Sequence, residues 1–486
     1  LRKLSGTAEG TPQGGSRLKL LAWSVSYSLS GARTYPPDAG QSQTCHIGYR
    51  FPETSNRPGT HRMKRLPFLA ALLLAPVLFA TDWPHYLGPT YNNVSSEKGL
   101  AKTWPAGGPK KLWETRIGAG FAAPSVVGNR LYVMRRVPPK AEPNVQQKDI
   151  LLCLDATTGA KIWEADQTAD VRKYGFPGSR TAPAVKDGRV FTIGPAGDLY
   201  AFAAEDGKLL WRHNLLKEFQ SRLPNWAVGQ SPLVWEDLVI CTPQGQKGTL
   251  VAFDAATGKP RWTTMAGQGR SMSYSSPILA TIDGVEQVLA ITGSGRGTRT
   301  GGYDPKTGKK LWEYSGWQCN IPITAPLSLG DGRVFITGEY GAGSAMIKVT
   351  RNGDRFQAKE LFKTQACGAQ IHQPFLIGNY LYANSNGNKR HDGFVCLDLE
   401  GNRKWATERN PNFDRGSMLL ADGRIYALNG NNGTLIMIDP SPEGFKQVAE
   451  CKPLGGKVVW APLVLSNGRL YIRDQEKLVC LDIRAK

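Results

Sequence analysis

Tryptophan returns in this chain at a fixed distance from glycine. Trp163, Trp211, Trp262, Trp312 and Trp405 each follow a glycine by four residues: Gly159, Gly207, Gly258, Gly308 and Gly401. Successive tryptophans lie 48, 51 and 50 residues apart, and then 93, an interval holding a copy with Phe362 in place of Trp. In three copies an Asp stands four residues before the glycine: Asp155, Asp254 and Asp304. A length of 486 residues alone would suggest two or three domains, but a repeat of this period takes precedence over length.

Each unit opens with a small residue and a proline (Pro124, Pro183, Pro232, Pro277, Pro326, Pro374, Pro462), and Ser417 opens the copy that lacks the proline. A segment of the type GRVFTI, GRIYAL or GRLYIR follows. Alternation such as L-x-L and V-x-I suits half-buried strands, and Asp-x-x-x-Gly suits a tight turn. The pattern predicts four short strands per unit, the signature of a β-propeller blade. Helical 3.6-residue periodicity is not sustained anywhere. Counting from Pro124 to Pro462 gives eight units. The eighth ends at LVCLDIRAK, without its Trp strand, while an isolated Trp strand, KKLWETRIG with Trp113, lies 50 residues before Trp163. The expectation is an all-β, eight-bladed propeller of four-stranded antiparallel blades, closed by the N-terminal strand (about 110–117) completing the last blade. Trp113, Trp163, Trp211, Trp262, Trp312 and Trp405 are then packing residues between blades. Leu478–Asp482 should pair antiparallel with residues around Leu112–Arg116.

The N-terminal region reads differently. MKRLPFLAALLLAPVLFA, from Met63, has two basic residues, an apolar run and small residues at its end, the pattern of a secretory signal. Residues 63–80 are therefore expected to be a signal peptide. Residues 1–62 are read as a gene-model extension, the alternative being a disordered leader. Residues 81–109 form a lead-in, and 110–486 the propeller. Without residues 1–80, the 60 basic and 40 acidic residues of the chain become 50 and 37, a net of +13. The working protein is thus basic, which attracts anionic surfaces or glycans. No Cys follows Ala80 directly, so a periplasmic or secreted location without a lipid anchor is expected, with no transmembrane segment in the mature chain.

Cys153, Cys396 and Cys480 occupy one repeated strand position and read as small buried side chains. Cys319 and Cys367 fall in equivalent loops, which leaves a bridge between them open. There is no C-x-x-C-H for haem and no paired C-x-x-C for zinc.

The L-x-x-L-D-x-x-T-G-x-x-x-W pattern resembles the repeat of pyrroloquinoline-quinone (PQQ)-like propellers, over about residues 82–486. That superfamily includes quinoprotein alcohol dehydrogenases and a propeller subunit of the bacterial outer-membrane assembly machine. The stretch from DWPHYLGPTYNN to Trp113 looks like the start of exported propellers of planctomycete and verrucomicrobial type. For the dehydrogenases the resemblance implies PQQ with Ca²⁺ at the axis. Their adjacent Cys-Cys pair is absent here, so no cofactor is expected, with PQQ and Ca²⁺ as the alternative.

Blade loops 4→1 and 2→3 share one face. On that face the sequence places Arg180, Trp226, Arg270, Tyr274, Arg296, Trp317, His372, Arg390, Arg415 and Trp460. A basic, aromatic loop set can hold an anionic or glycan ligand through guanidinium forks and ring stacking, or anchor a protein partner. The repeated Asp residues read as turn formers, with no catalytic or metal set among them, and the basic residues form no nucleic-acid motif. The sequence thus points to an exported, non-catalytic, monomeric binding or scaffold module. The alternatives are a quinone-dependent dehydrogenase and a glycan-binding or carbohydrate-active propeller.

Overall fold

The computed structural model describes residues 81–136, 148–167, 178–265 and 272–485. Apart from a short strand added to one of them, these residues form eight sheets of four antiparallel strands, the blades of an eight-bladed propeller. Blade 1 runs Ser125–Val127, Arg130–Arg136, Asp149–Asp155 and Lys161–Gln167. Blades 2 to 7 repeat this order through to Gln447–Cys451. In blade 8, Val464–Ser466, Arg469–Arg473 and Lys477–Asp482 are completed by Lys110–Arg116. The register pairs Lys110 with Asp482, Trp113 with Cys480 and Thr115 with Leu478, antiparallel as expected. The chain thus closes its ring with a strand from its other end, which gives Lys477–Asp482 a partner on its outer side and blade 8 its fourth strand. Buried Arg473 adds to the closure, donating to the carbonyls of Met134 (2.8 Å) and Gly118 (3.0 Å) beside blade 1.

The Gly–Trp spacing is the seam between blades. Each Asp-x-x-x-Gly turn has its carboxylate accepting turn N–H groups, as Asp254 does from Thr257 at 2.9 Å. The glycine of that turn takes positive φ and lies flat on the tryptophan of the preceding blade. Blade 2 has Ala203 in place of the Asp but keeps the glycine: a Cβ on Gly207 (φ +75°) would sit 2.6 Å from the Trp163 ring. The indole N–H then donates to a carbonyl of the same turn: Trp113 to Ala156 (3.1 Å), Trp163 to Ala204 (3.2 Å), Trp211 to Ala255 (3.1 Å) and Trp262 to Pro305 (3.0 Å). Trp405 does the same to Ser441 (2.9 Å). Trp312 departs from the rule and bonds Gln287 of its own blade at 2.7 Å. The reason is the next blade, whose outer strands form a long hairpin, Gly343–Asn352 with Arg355–Thr364, and offer no Asp-x-x-x-Gly turn. Phe362 of that hairpin takes the Trp role under Gly401.

The lead-in is a plug. It starts at the turn face, where Asp82 accepts the Gly128 N–H at 2.8 Å, and rises along the innermost strands of blades 1 and 2. Trp83 exchanges backbone hydrogen bonds with Val126, and the Pro84 carbonyl accepts the Val185 N–H (2.8 Å). The chain reverses at Gly88 (φ +74°), packed on the Trp83 ring, with His85 stacked on Tyr91 at 4.0 Å. It returns as Val94–Ser95, parallel to the innermost strand of blade 7, and Glu97 accepts the N–H groups of Asn467 and Gly468 at the turn of blade 8. Leu87 and Tyr91 join the apolar core of blades 3 to 5.

Cys319 and Cys367 are both buried and both free, so the bridge that the sequence left open is not formed.

Candidate functional site

The central channel is filled from the turn face by the plug, so its opposite end is a blind cup of about 330 Å³. Every junction between blades supplies a wall residue. Phe121 comes from junction 8→1, Arg180 from 1→2, Trp226 and Gly229 from 2→3, and Tyr274 from 3→4. Ile321 and Ile323 come from 4→5, Gln370 and Ile371 from 5→6, Arg415 from 6→7, and Trp460 and Pro462 from 7→8. Tyr340 and Asn388, from the 2→3 loops of blades 5 and 6, add polar groups, and Tyr86 of the plug completes the lining. The cup therefore lies on the ring axis, where eight non-identical loops converge.

Its chemistry is aromatic with a basic rim. The Arg180 guanidinium lies over the Phe121 ring at 5.5 Å, and Arg415 over Trp460 at 4.8 Å. Phe121 and Trp460 are neighbours, with ring centres 5.8 Å apart. Cation–π stacking of this kind fixes the guanidinium plane. Arg415 is fixed further: Nε donates to Gln370 Oε1 (2.7 Å), Nη2 to Asn388 Oδ1, and Nη1 to Asp414 Oδ1 (3.0 Å). Asp414 Oδ2 accepts the Trp460 indole N–H at 2.8 Å. Trp226 is 44% exposed, unusual for so large an apolar side chain.

Of the residues that the sequence placed on this face, Arg180, Trp226, Tyr274, Arg415 and Trp460 meet in the cup. The others stand elsewhere. Trp317 is buried in the core of blades 4 and 5, its indole donating to the Gly343 carbonyl at 3.3 Å. His372 lies beneath the wall, 3.0 Å from the Arg415 carbonyl, and burial pushes its pKa down to about 4. It supports the loop that carries Arg415 rather than facing a ligand. Arg390 is held by Asp392 at 2.6 Å, and Arg296 is exposed in a Gly-rich turn that does not line the cup. Arg270 lies outside the described residues. Tyr86, Tyr340 and Asn388 were not singled out from sequence. The aromatic in GEYGAG and the Asn in NGNK are weak signals, and Tyr86 belongs to no repeat.

A Ca²⁺-held quinone does not fit these residues. The lining has two arginines, neutral amides and phenols, but no carboxylate. Both oxygens of Asp414 are engaged, as described above. Glu339 lies behind Gly387 and Gln370, with Oε1 on the Lys389 N–H (2.7 Å) and Oε2 buried and unpaired among the described residues. It does not line the cup, and no group of three His, Cys, Asp or Glu gathers among the described residues. Calcium requires a shell of oxygen ligands, several of them anionic.

Comparison with known proteins adds the following. A family model described as outer membrane protein assembly factor BamB (PQQ_2) matches residues 147–407. The outer membrane protein assembly factor BamB of Shewanella oneidensis is 26% identical over 305 residues, which are 58% of this chain and 71% of that protein. The quinohemoprotein alcohol dehydrogenase ADH-IIG of Pseudomonas putida is 30% identical over 148 residues, which span 28% of this chain and only 19% of the enzyme. Among solved structures, BamB from Moraxella catarrhalis superposes with a TM-score of 0.54 at 15% identity, covering 78% of this chain and 98% of that one. A europium-containing methanol dehydrogenase gives 0.56 at 14% identity, covering 82% and 89%. At these identities the superpositions speak for the fold alone. Among the described residues no helix is long and apolar enough to cross a membrane.

Proposed function

We propose that this chain, which belongs to the PQQ-repeat propeller family described as outer membrane protein assembly factor BamB, is a non-catalytic binding or scaffold module that receives its partner at the loop face. The observation that carries the reading is the cup itself. It is a preformed, aromatic, basic-rimmed cavity, built from every blade junction and closed behind by the chain's own plug. Pockets of this make-up are the default binding sites of a fold. The lack of a carboxylate in the lining favours binding over quinone chemistry. A fold alone does not choose a function, so the reading rests on the site. It includes export, from residues 63–80, which lie outside the described residues.

The test uses immobilised protein and a periplasmic extract of the source organism. Wild type and the turn-face control Lys306→Ala should retain the same partner, and Trp226→Ala/Arg415→Ala should lose it. Retention by the double variant would contradict the reading. Saturable binding of PQQ with Ca²⁺, accompanied by dye-linked alcohol oxidation, would replace it with the dehydrogenase alternative.

A further inference from the structure

The hydrogen bonds in the cup wall run in one direction. Arg415 has only donors, so the two amide oxygens that it meets, Gln370 Oε1 and Asn388 Oδ1, must face it. That fixes both amides, whose orientation would otherwise be ambiguous. Their NH₂ groups then point to one atom. Gln370 Nε2 donates to Tyr340 Oη at 2.8 Å and Asn388 Nδ2 at 2.7 Å. With both acceptor positions of the phenol oxygen filled, its single proton can only be donated onward. Among the described residues no acceptor receives it, and the cavity that Tyr340 lines lies in front of it. Tyr274, from junction 3→4, brings a second phenol to the cup. Its hydroxyl accepts the Trp226 N–H at 3.0 Å, and no acceptor among the described residues takes its proton. The cup thus presents hydroxyl donors, with two guanidinium groups and no carboxylate in its lining, inside walls of aromatic and branched apolar side chains.

We propose that the cup is a site for a carboxylate carried on an aromatic or branched apolar body, with Tyr340 and Tyr274 donating to the carboxylate. This rests on the loop-face reading above and names the chemistry it selects. The specificity arises because a ligand without an acceptor would leave two phenol protons buried and unpaired, a penalty that discriminates more sharply than added apolar contact. Arg415 polarises the relay through the two amides, and Arg180 at the rim adds charge. The same chemistry is offered by a free small-molecule acid and by the terminal residue of a peptide.

The test titrates the intact mature protein by calorimetry with N-acetyl-phenylalanine, its primary amide, and an N-acetylated tetrapeptide ending in Phe as free acid or amide. At least one acid should bind, about 10- to 100-fold more tightly than its amide, the range expected for hydrogen bonds to a charged group. Binding of the small acid identifies a small-molecule site, and binding of the peptide acid alone identifies a chain terminus. Tyr340→Phe should remove most of the preference for acid over amide, while Trp226→Ala should weaken acid and amide together. Equal binding of acid and amide, or an undiminished preference in Tyr340→Phe, overturns the proposal and leaves the loop-face reading to its own capture test. No binding of any of the four probes also overturns it.

Discussion

The two ends of this ring are built on opposite principles. At the turn face, blades 1 to 4 repeat one device: a turn, organised by an Asp in blades 1, 3 and 4, whose Gly lies on the preceding blade's Trp. At the loop face the junctions contribute aromatic, aliphatic, amide and guanidinium side chains in no repeating order, and at least one residue from each lines the cup. Repetition serves packing, since each seam must bury the same kind of surface. A ligand site on the axis needs the opposite, because a single asymmetric molecule cannot satisfy eight identical walls. Trp163 and Trp226 illustrate the division: the first is buried in a seam, the second 44% exposed above the cup.

Substitutions can break that comparison. The largest effect is expected for Trp163→Ala, about 3–5 kcal/mol of unfolding free energy, the usual range for removing a buried aromatic. Denaturant unfolding followed by circular dichroism checks it. Gly207→Ala should cost about 2–3 kcal/mol, combining a strained φ with a methyl forced into the Trp163 ring. A loss under about 0.5 kcal/mol would mean that the seam is looser than described. Acid should then separate the two faces. His372 and His85 are pushed down to about 4 by burial, below the usual value of about 6.5. The unfolded chain therefore takes up protons that the folded chain refuses, and stability falls as pH drops from about 6.5 towards 4. At the turn face the Asp254 carboxyl is held below its usual value, first by the Thr257 hydroxyl and then by turn N–H groups. Its contribution is present above the unfolded value of about 3.9 and is lost only below it. Hydrogen exchange at pH 5 should thus show the loop-face wall and the plug loosening before the turns, and His372→Gln should reduce that loosening. The smallest stability effect is expected for Trp226→Ala, within about 0.5 kcal/mol, although it should abolish partner capture.

The same division governs what the sequence revealed. Blade count, strand order and ring closure were legible because Trp, Gly, Asp and Pro recur in step, so each copy confirms the others. Even the odd seam at Trp312 shows in sequence as the missing Trp at Phe362. The site was half legible. Arg180, Trp226, Tyr274, Arg415 and Trp460 were found because propeller topology assigns their loops to one face. Trp317 and His372 share those loops but turn inward, and loop membership does not report which way a side chain points. Tyr340 and Asn388 are joined to Arg415 and Gln370 in a four-residue hydrogen-bonded arrangement across separate blades that no local pattern records. The plug was the least legible part. Residues 81–109 do not repeat, and their path depends on positive φ at Leu87, Gly88, Tyr91 and Asn93, only one of which is glycine.

The central claim is that the partner enters on the axis at the loop face. Hydrogen–deuterium exchange of the protein, free and with its captured partner bound, tests this most directly. Protection is expected around Arg180, Trp226, Tyr340, Gln370, Arg415 and Trp460, with the turns at Asp155, Asp254 and Asp304 unchanged. Protection confined to those turns, or to the outer strands of the blades, would contradict the account.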